Sequence, residues 1–201
     1  MLIVYNFLIC ILILLYTPFI ISKILQKNSH KKWLSRIGIV PNIQKRKYIL
    51  VHCASVGEVN LIRLFIQKLH NEFPEYKILL SVITPSGYNF AVKLHLPVEH
   101  IFFLPIDFYF FTRKFIKKIQ PELLILVETE LWPNLVYFAN KFNAKILLVN
   151  GRISHRTFKF RYIIKILLKK TLSKFNLLLM REEVDLKRII RLGAEKKKVI
   201  L

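Results

Sequence analysis

The stretch LLILVETELWPN (residues 123–134) decides how this chain folds, because an apolar run changes there into two carboxylates followed by Trp-Pro. The run 123–127 has the composition of a buried strand, and Pro133 is typical of a first helical position. Ligands of open α/β sheets bind outside the carboxyl ends of the strands. Burying acids costs free energy unless something binds or pairs with them. We therefore expect a functional site at Glu128 and Glu130.

Short apolar runs alternate with longer amphipathic segments along the rest of the chain. The runs are predicted strands at 48–54, 77–83, 101–104, 145–149, 177–180 and 199–201. The segments between them are predicted helices, among them 58–73, 107–119 with Asp107 as its cap, 133–142, 155–174 and 182–192. This alternation predicts right-handed crossovers and an α/β fold with a parallel sheet over residues 48–201.

The N-terminal segment 1–22 carries no charged residue and is long enough to span a bilayer. Basic residues follow it rather than precede it, and no small-residue cleavage site is present. By the positive-inside rule, this pattern predicts a single-pass transmembrane anchor with the rest of the chain in the cytoplasm. Residues 23–47 are then a basic juxtamembrane linker. A helix lying in the membrane interface and a cleaved signal peptide are the alternatives.

The net charge of +21 favours an anionic partner, either lipid or nucleic acid. The basic residues are scattered over many predicted helices, and no nucleic-acid-binding motif accompanies them. Part of the charge is also typical of a Lys- and Ile-rich compositional bias. We therefore expect membrane lipids as partners and no nucleic acid. The two cysteines, Cys10 and Cys53, have no metal-ligand spacing, so no metal site is predicted.

The segment Ser55-Val56-Gly57-Glu58 lies where the first predicted strand meets a helix. Gly57 permits a close approach of the backbone, and a carboxylate is favoured at a helix N-terminus. Glu58 is therefore either a general base at the mouth of the sheet or an acid that only stabilises the helix. Neither GxGxxG nor a Walker lysine motif is present, so a dinucleotide or ATP site is not predicted.

Glu128 and Glu130 alternate on a segment expected to be extended, which would place both on one side. They are either a functional pair or partners in a salt bridge with nearby basic residues. Arg152, after the next strand, is a candidate to bind phosphate or to pair with Glu128. His52 and Cys53 lie within one strand on opposite sides, and both are expected to pack in the core.

Several segments together resemble one family, the 3-deoxy-D-manno-octulosonic acid (Kdo) transferases. The basic stretch 31–38 is similar to that family, and five motifs occur in the same order: SVGE (55–58), TPSG (84–87), LPID (104–107), ETELWPN (128–134) and NGRIS (150–154). Each motif alone is weakly specific, but together they cover nearly the whole chain.

The resemblance implies a membrane-anchored inverting glycosyltransferase of the GT-B type, family 30. Such enzymes move Kdo from CMP-Kdo to the lipid A precursor, lipid IVA, on the cytoplasmic face of the inner membrane during lipopolysaccharide biosynthesis. CMP-Kdo is a substrate, and no cofactor is implied. By the family motifs, Glu58 is the general base and Glu128 stabilises the transition state. Ser55, Gly57, Glu130 and Arg152 are expected to support or bind the acceptor.

Two departures from the family pattern stand out. Arg181 occupies the position of a glutamine in the family motif Gln-x-Glu-x-Asp. Family members are also longer, with a second Rossmann-like domain that holds CMP. The resemblance therefore implies that this chain is the first, acceptor-binding Rossmann-like half of a GT-B fold, whose missing C-terminal half would be a partner. The alternative is a truncated, non-catalytic remnant that binds membrane or acceptor lipid only.

Overall fold

The computed structural model describes residues 2–25, 34–155, 158 and 161–201. Helices and strands alternate after an N-terminal helix. The helices are α1 (Leu2–Leu25), α2 (Val56–Glu72), α3 (Pro85–Lys93), α4 (Tyr109–Ile119), α5 (Pro133–Lys141), α6 (Arg161–Leu172) and α7 (Glu183–Arg191). The strands are β1 (Tyr48–Cys53), β2 (Lys77–Val82), β3 (His100–Phe103), β4 (Leu123–Val127), β5 (Lys145–Gly151), β6 (Leu177–Met180) and β7 (Val199–Ile200).

All the strands pair in parallel in one sheet of order β3-β2-β1-β4-β5-β6-β7. The predicted α/β fold with a parallel sheet is therefore confirmed. The strand order reverses between β1 and β4, which pair directly, with Ile49 opposite Leu123 and His52 opposite Leu126. The loops that follow these two strands flank the crevice where α/β proteins of this topology bind ligands.

The sheet is buried on both faces, which explains why its strands read as continuous apolar runs. On one face, Leu50, Leu124 and Leu148 pack against α4 to α7. On the other face, Ile49 and Ile125 pack against α2 and α3. Every residue of β1 is buried, so its position at the centre of the sheet is fixed by packing on both sides.

Asp107 does not cap the helix that follows it, so that prediction is wrong. Helix α4 begins after Phe108, whose side chain makes no capping hydrogen bond. The Asp107 carboxylate instead accepts hydrogen bonds from the backbone N–H groups of Asn134 and Leu135, at 3.0 and 2.9 Å. Because Trp132 offers α5 no side-chain cap, Asp107 satisfies two free N–H groups that would otherwise be buried unpaired.

Helix α1 docks on Asp107 and the start of α5 through its first two turns. The Tyr5 hydroxyl donates to Asp107 Oδ2 at 2.9 Å, and Asn6 Nδ2 donates to Asn134 Oδ1 at 3.0 Å. Asn6 Oδ1 in turn accepts from the backbone N–H of Tyr109 at 2.8 Å. The N-terminal helix is thereby attached to two motifs of the α/β domain.

The apolar N-terminal segment is helical, but the structure does not support the transmembrane anchor predicted at 1–22. Within the described residues, no helix is both long and apolar enough to cross a membrane. The linker predicted at 23–47 lies partly outside the described residues, as do positions 156–157 and 159–160 of the helix predicted at 155–174.

We expect the Asp107 carboxylate, on which α1 docks, to make the free energy of unfolding depend on pH. Burial raises the pKa of Asp107 to about 6, against the bonds from Asn134, Tyr5, Leu135 and Thr112, which lower it. Between about pH 4 and 6 the unfolded chain ionises first, so the folded state loses stability as pH rises. Relative to Asp107→Asn, the free energy of unfolding should fall by up to about 3 kcal/mol across that window.

The measurement is urea unfolding of both proteins at several pH values. Taking the difference between them removes the contributions of the other carboxylates. A difference that stays constant from pH 4 to pH 7 would contradict the assigned pKa of Asp107.

Candidate active site

The three predicted site carboxylates follow the carboxyl ends of the two central strands, β1 and β4. Glu58 lies in the first turn of α2, directly after β1. Glu128 and Glu130 follow β4, which pairs with β1. The three carboxylates therefore meet at the crevice where the strand order reverses, as the sequence predicts for the acids after β4.

Glu58 and Ser55 together cap the start of α2. The Ser55 hydroxyl accepts from the backbone N–H of Glu58 at 3.4 Å and donates to Glu58 Oε1 at 3.2 Å. The backbone N–H of Ala54 donates to Glu58 Oε2 at 2.7 Å. Glu58 thus does stabilise the start of α2, as one of the two interpretations predicts. The same contacts fix its carboxylate at the mouth of the sheet, so they leave the general-base hypothesis open.

The electrostatic surroundings of Glu58 favour its protonated form. The residue is only 8% exposed, and burial is the largest cause raising its pKa above the usual range. The negative charges of Glu130 and Glu128 raise it further, while the hydrogen bonds from Ala54 and Ser55 oppose the shift. A carboxylate with a raised pKa is a stronger proton acceptor once ionised, which suits a general base.

Glu128 adopts a left-handed backbone conformation, with φ of 57°. The expectation that Glu128 and Glu130 alternate on an extended segment is therefore wrong, since the chain turns immediately after β4. The backbone N–H of Glu128 still bonds Val149 O of β5 at 3.0 Å. Glu128 is half-buried, and among the described residues its carboxylate has no hydrogen bond or ion pair. Strain of this kind at a strand end is typical of functional positions.

Glu130, in contrast, is held by two aromatic side chains. Trp132 Nε1 donates to Glu130 Oε2 at 2.6 Å, and His52 Nε2 lies 3.3 Å from the same oxygen. His52 and Cys53 are both buried, as expected. The sequence alone does not predict the contact between His52 and Glu130, because the contact depends on which strand lies beside β1.

Arg152 is exposed, and it makes no ion pair with Glu128 within the part of the chain that the structure describes. Its neighbour Ile153 is held firmly, since the Ile153 N–H donates to Asp185 Oδ1 at 2.8 Å and Arg188 donates to the Ile153 carbonyl at 2.7 Å. The pairing of Arg152 with Glu128 is therefore wrong for this conformation, and a role in phosphate binding stays a prediction.

The close backbone approach predicted at Gly57 occurs instead at Gly87. A Cβ on Gly87 would lie 2.9 Å from Thr84 Oγ1 and 3.3 Å from the carbonyl carbon of Ser55. A Cβ on Gly57 would meet only Ser55 Oγ, at 3.8 Å. Gly87 thus allows the start of α3 to pack on the start of α2, while the space above Gly57 stays open beside Glu58.

No group of three or more His, Cys, Asp or Glu side chains has the arrangement of a metal site, within the described ranges. The absence of a metal from the reaction stays a prediction.

The left-handed conformation of Glu128 should be measurable as a cost in stability. Such a conformation costs a non-glycine residue roughly 1–2 kcal/mol. We expect Glu128→Gly to be more stable than Glu128→Ala by about 1 kcal/mol in urea unfolding. The matched control is Glu130, whose φ is not positive, so Glu130→Gly should be no more stable than Glu130→Ala. Equal stability of the two Glu128 variants would show that the backbone there is unstrained.

The model of the N-terminal domain of 3-deoxy-D-manno-octulosonic-acid transferases (kdotransferases) matches residues 31–201. A bifunctional glycosyltransferase/methyltransferase of Fusobacterium nucleatum is 40% identical over 97% of this chain and 30% of its own length. The 3-deoxy-D-manno-octulosonic acid transferase of Haemophilus influenzae is 32% identical over 75% of this chain and 35% of its own. The Chlamydia pneumoniae transferase is 30% identical, over 90% and 43% respectively.

Solved structures support the fold alone. A UDP-N-acetylglucosamine 2-epimerase superposes with a TM-score of 0.58 at 9% identity, covering 78% of this chain and 48% of its own. The Neisseria meningitidis UDP-GlcNAc 2-epimerase gives a TM-score of 0.55 at 10% identity, over 77% and 46%. Against the curated relatives, the chain spans between 30% and 43% of their length. The family match over residues 31–201, together with these identities, shows that the chain belongs to the 3-deoxy-D-manno-octulosonic-acid transferase family.

Proposed function

We propose that this chain is the acceptor-binding half of an inverting glycosyltransferase that moves Kdo from CMP-Kdo to a lipid A precursor in lipopolysaccharide biosynthesis. The observation that carries the proposal is the position of Glu58. Its buried carboxylate, with a raised pKa, lies at the crevice between β1 and β4 beside Glu128 and Glu130. Within the described residues, no Lys or Arg side chain pairs with any of these three acids.

In the proposed reaction, Glu58 takes the proton of the acceptor hydroxyl while that oxygen attacks the anomeric carbon of Kdo. The bond between this carbon and the phosphate oxygen of CMP breaks, and the configuration inverts without a covalent enzyme intermediate. Positive charge develops on the anomeric carbon as the leaving group departs. The unpaired carboxylate of Glu128 would stabilise that charge, since a fixed negative group acts strongly at a desolvated site.

The remaining residues are assigned to acceptor binding. The Ser55 hydroxyl orients Glu58, and the open space above Gly57 admits the acceptor hydroxyl. The exposed Arg152 guanidinium suits an acceptor phosphate, which it can bind through two parallel hydrogen bonds. Glu130 supports the loop that carries Glu128.

The donor would bind on the part of the longer relatives that this chain does not cover. A second domain facing the β1–β4 crevice would hold CMP-Kdo, and no cofactor is required by this chemistry. We propose that a C-terminal half, in the same or a separate polypeptide, completes the enzyme.

We further propose that the chain works at the cytoplasmic face of the inner membrane, with α1 in contact with membrane lipids. The support is the exposed apolar surface of α1, where the side chains of Phe7 and Leu15 are 65% and 71% exposed. An amphiphilic, acylated acceptor would reach the site from such a surface.

The base assignment is tested by Glu58→Gln in the chain completed by its C-terminal half. We expect Kdo transfer to fall by about 10²- to 10⁴-fold, because an amide cannot take the proton of the acceptor. The matched control is Glu72→Gln on the same helix, where the carboxylate is exposed and pairs with Lys68. Transfer by Glu58→Gln at the wild-type rate would refute the base assignment. A completed wild-type chain that binds acceptor without transfer would favour the non-catalytic remnant.

The membrane proposal is tested by sedimentation with vesicles of anionic phospholipid. The double variant Phe7→Glu/Leu15→Glu should bind at least about tenfold more weakly, because burying one such apolar side chain contributes about 1.5–3 kcal/mol. Val184→Glu is the control, since Val184 is 52% exposed but lies on α7. Unchanged binding by the double variant would exclude α1 as the lipid contact.

A further inference from the structure

His52 is a buried histidine with a polar partner on each ring nitrogen. It is the fifth residue of β1 and has no exposed surface. Its Nδ1 lies 2.9 Å from Ser81 Oγ and 3.2 Å from the Ser81 carbonyl oxygen. Its Nε2 lies 3.3 Å from Glu130 Oε2. A side chain that joins β2 to the loop after β4 does more than fill space in the core.

The partners on Nδ1 determine where one proton lies. The Ser81 carbonyl oxygen can only accept a hydrogen bond, and the Ser81 hydroxyl donates to the carbonyl of Val51 at 3.4 Å. The geometry points to a hydrogen on Nδ1, because a lone pair there would face the Ser81 carbonyl oxygen at 3.2 Å. A neutral ring would then present a lone pair at Nε2 to an ionised Glu130 carboxylate. Two acceptors cannot face each other at 3.3 Å without repulsion, so one proton is shared between Nε2 and Oε2.

The shared proton controls the charge that faces Glu58. The titratable groups acting on Glu58 are Glu128 and Glu130 from the loop after β4, with Cys53 nearby on β1. The first turn of α3, which packs on Ser55, presents hydroxyl groups and no charge. Among the described residues, His52 is thus the only group that can cancel the charge of Glu130.

The same contact also fixes the loop. Glu130 Oε2 accepts from Trp132 Nε1 at 2.6 Å, and Trp132 precedes the first residue of α5. The link from His52 to Glu130 and Trp132 therefore constrains the middle and the end of the loop that Glu128 begins.

We propose that His52 is a positioning residue for the transfer reaction, sharing one proton with Glu130 so that less negative charge faces Glu58 and Trp132 is held in place. The inference rests on the function proposed above, in which Glu58 is the base. His52 contacts neither substrate; it acts through Glu130.

The proton arrangement is tested on the present chain, without any transfer assay. In a Trp33→Phe background, ¹⁵N NMR at neutral pH should show a hydrogen on His52 Nδ1 and a His52 Nε2 shift displaced from that of a lone-pair nitrogen toward that of a protonated one. His52→Asn should move the indole N–H resonance of Trp132. The His52 signals are assigned by their loss in His52→Gln. A His52 ring with no hydrogen on Nδ1, an Nε2 shift typical of a lone-pair nitrogen, or an unmoved indole resonance would overturn the proposal.

The catalytic consequence is tested by two variants of the completed chain. Glutamine places an N–H donor near the position of Nε2, whereas asparagine places one near Nδ1. We expect His52→Asn to lower kcat about 10- to 100-fold with little change in KM, and His52→Gln to lower it much less. Both variants remove the proton that His52 shares with Glu130, so Glu130 presents more negative charge to Glu58 and raises its pKa. The acid limb of the pH profile of kcat/KM should therefore move to higher pH. Thermal unfolding measures how much stability each variant loses.

A role in packing alone predicts another pattern. Activity would then follow thermal stability in the two variants, and the acid limb would stay in place; either result overturns the positioning role. If the completed wild-type chain transfers no Kdo, the proposed function fails, and the positioning role of His52 in transfer fails with it. The NMR result would still show whether the proton is shared.

Discussion

The pairing of β1 with β4 is the constraint on which the rest of the structure depends. These strands are adjacent in the sheet but separated in the chain by two complete strand–helix units. Apolar side chains on both faces hold them in register, with Val51 opposite Ile125. Because the register is fixed, the segments that leave the two strands are fixed as well. Glu58 meets the acids after β4 for this reason and not because of any affinity between carboxylates.

Those acids repel one another, so the fold must stabilise them by other means. Glu58 receives two N–H or O–H donors from its own loop, at Ala54 and Ser55. Glu130 receives the indole of Trp132 and the ring of His52. Only Glu128 is left without a partner among the described residues. The crevice therefore combines two carboxylates held rigidly with one that is free to meet positive charge.

The sequence predicts the strands well because burial on both faces leaves an unbroken apolar run, as at 123–127 and 48–51. It also predicts which loops gather, since parallel strands deliver their carboxyl ends to one edge. Features that depend on neighbours in space are beyond its reach. Asp107 could be recognised as a helix cap, but only the packed structure shows that it caps α5. The turn at Glu128 has no local sequence signal, because glutamate is not a residue typical of a left-handed conformation. The partner of His52 could not be identified without the order of the strands.

The docking of α1 gives the N-terminal helix a direction as well as an attachment. A purely apolar helix can rotate about its axis without loss, but Tyr5 and Asn6 meet Asp107 and Asn134 in only one rotation. The rotation of α1 about its axis is thereby coupled to the start of α5, and through Trp132 to the loop that carries Glu128. Any contact that fixed the orientation of α1 would therefore also fix the orientation of the crevice and its carboxylates.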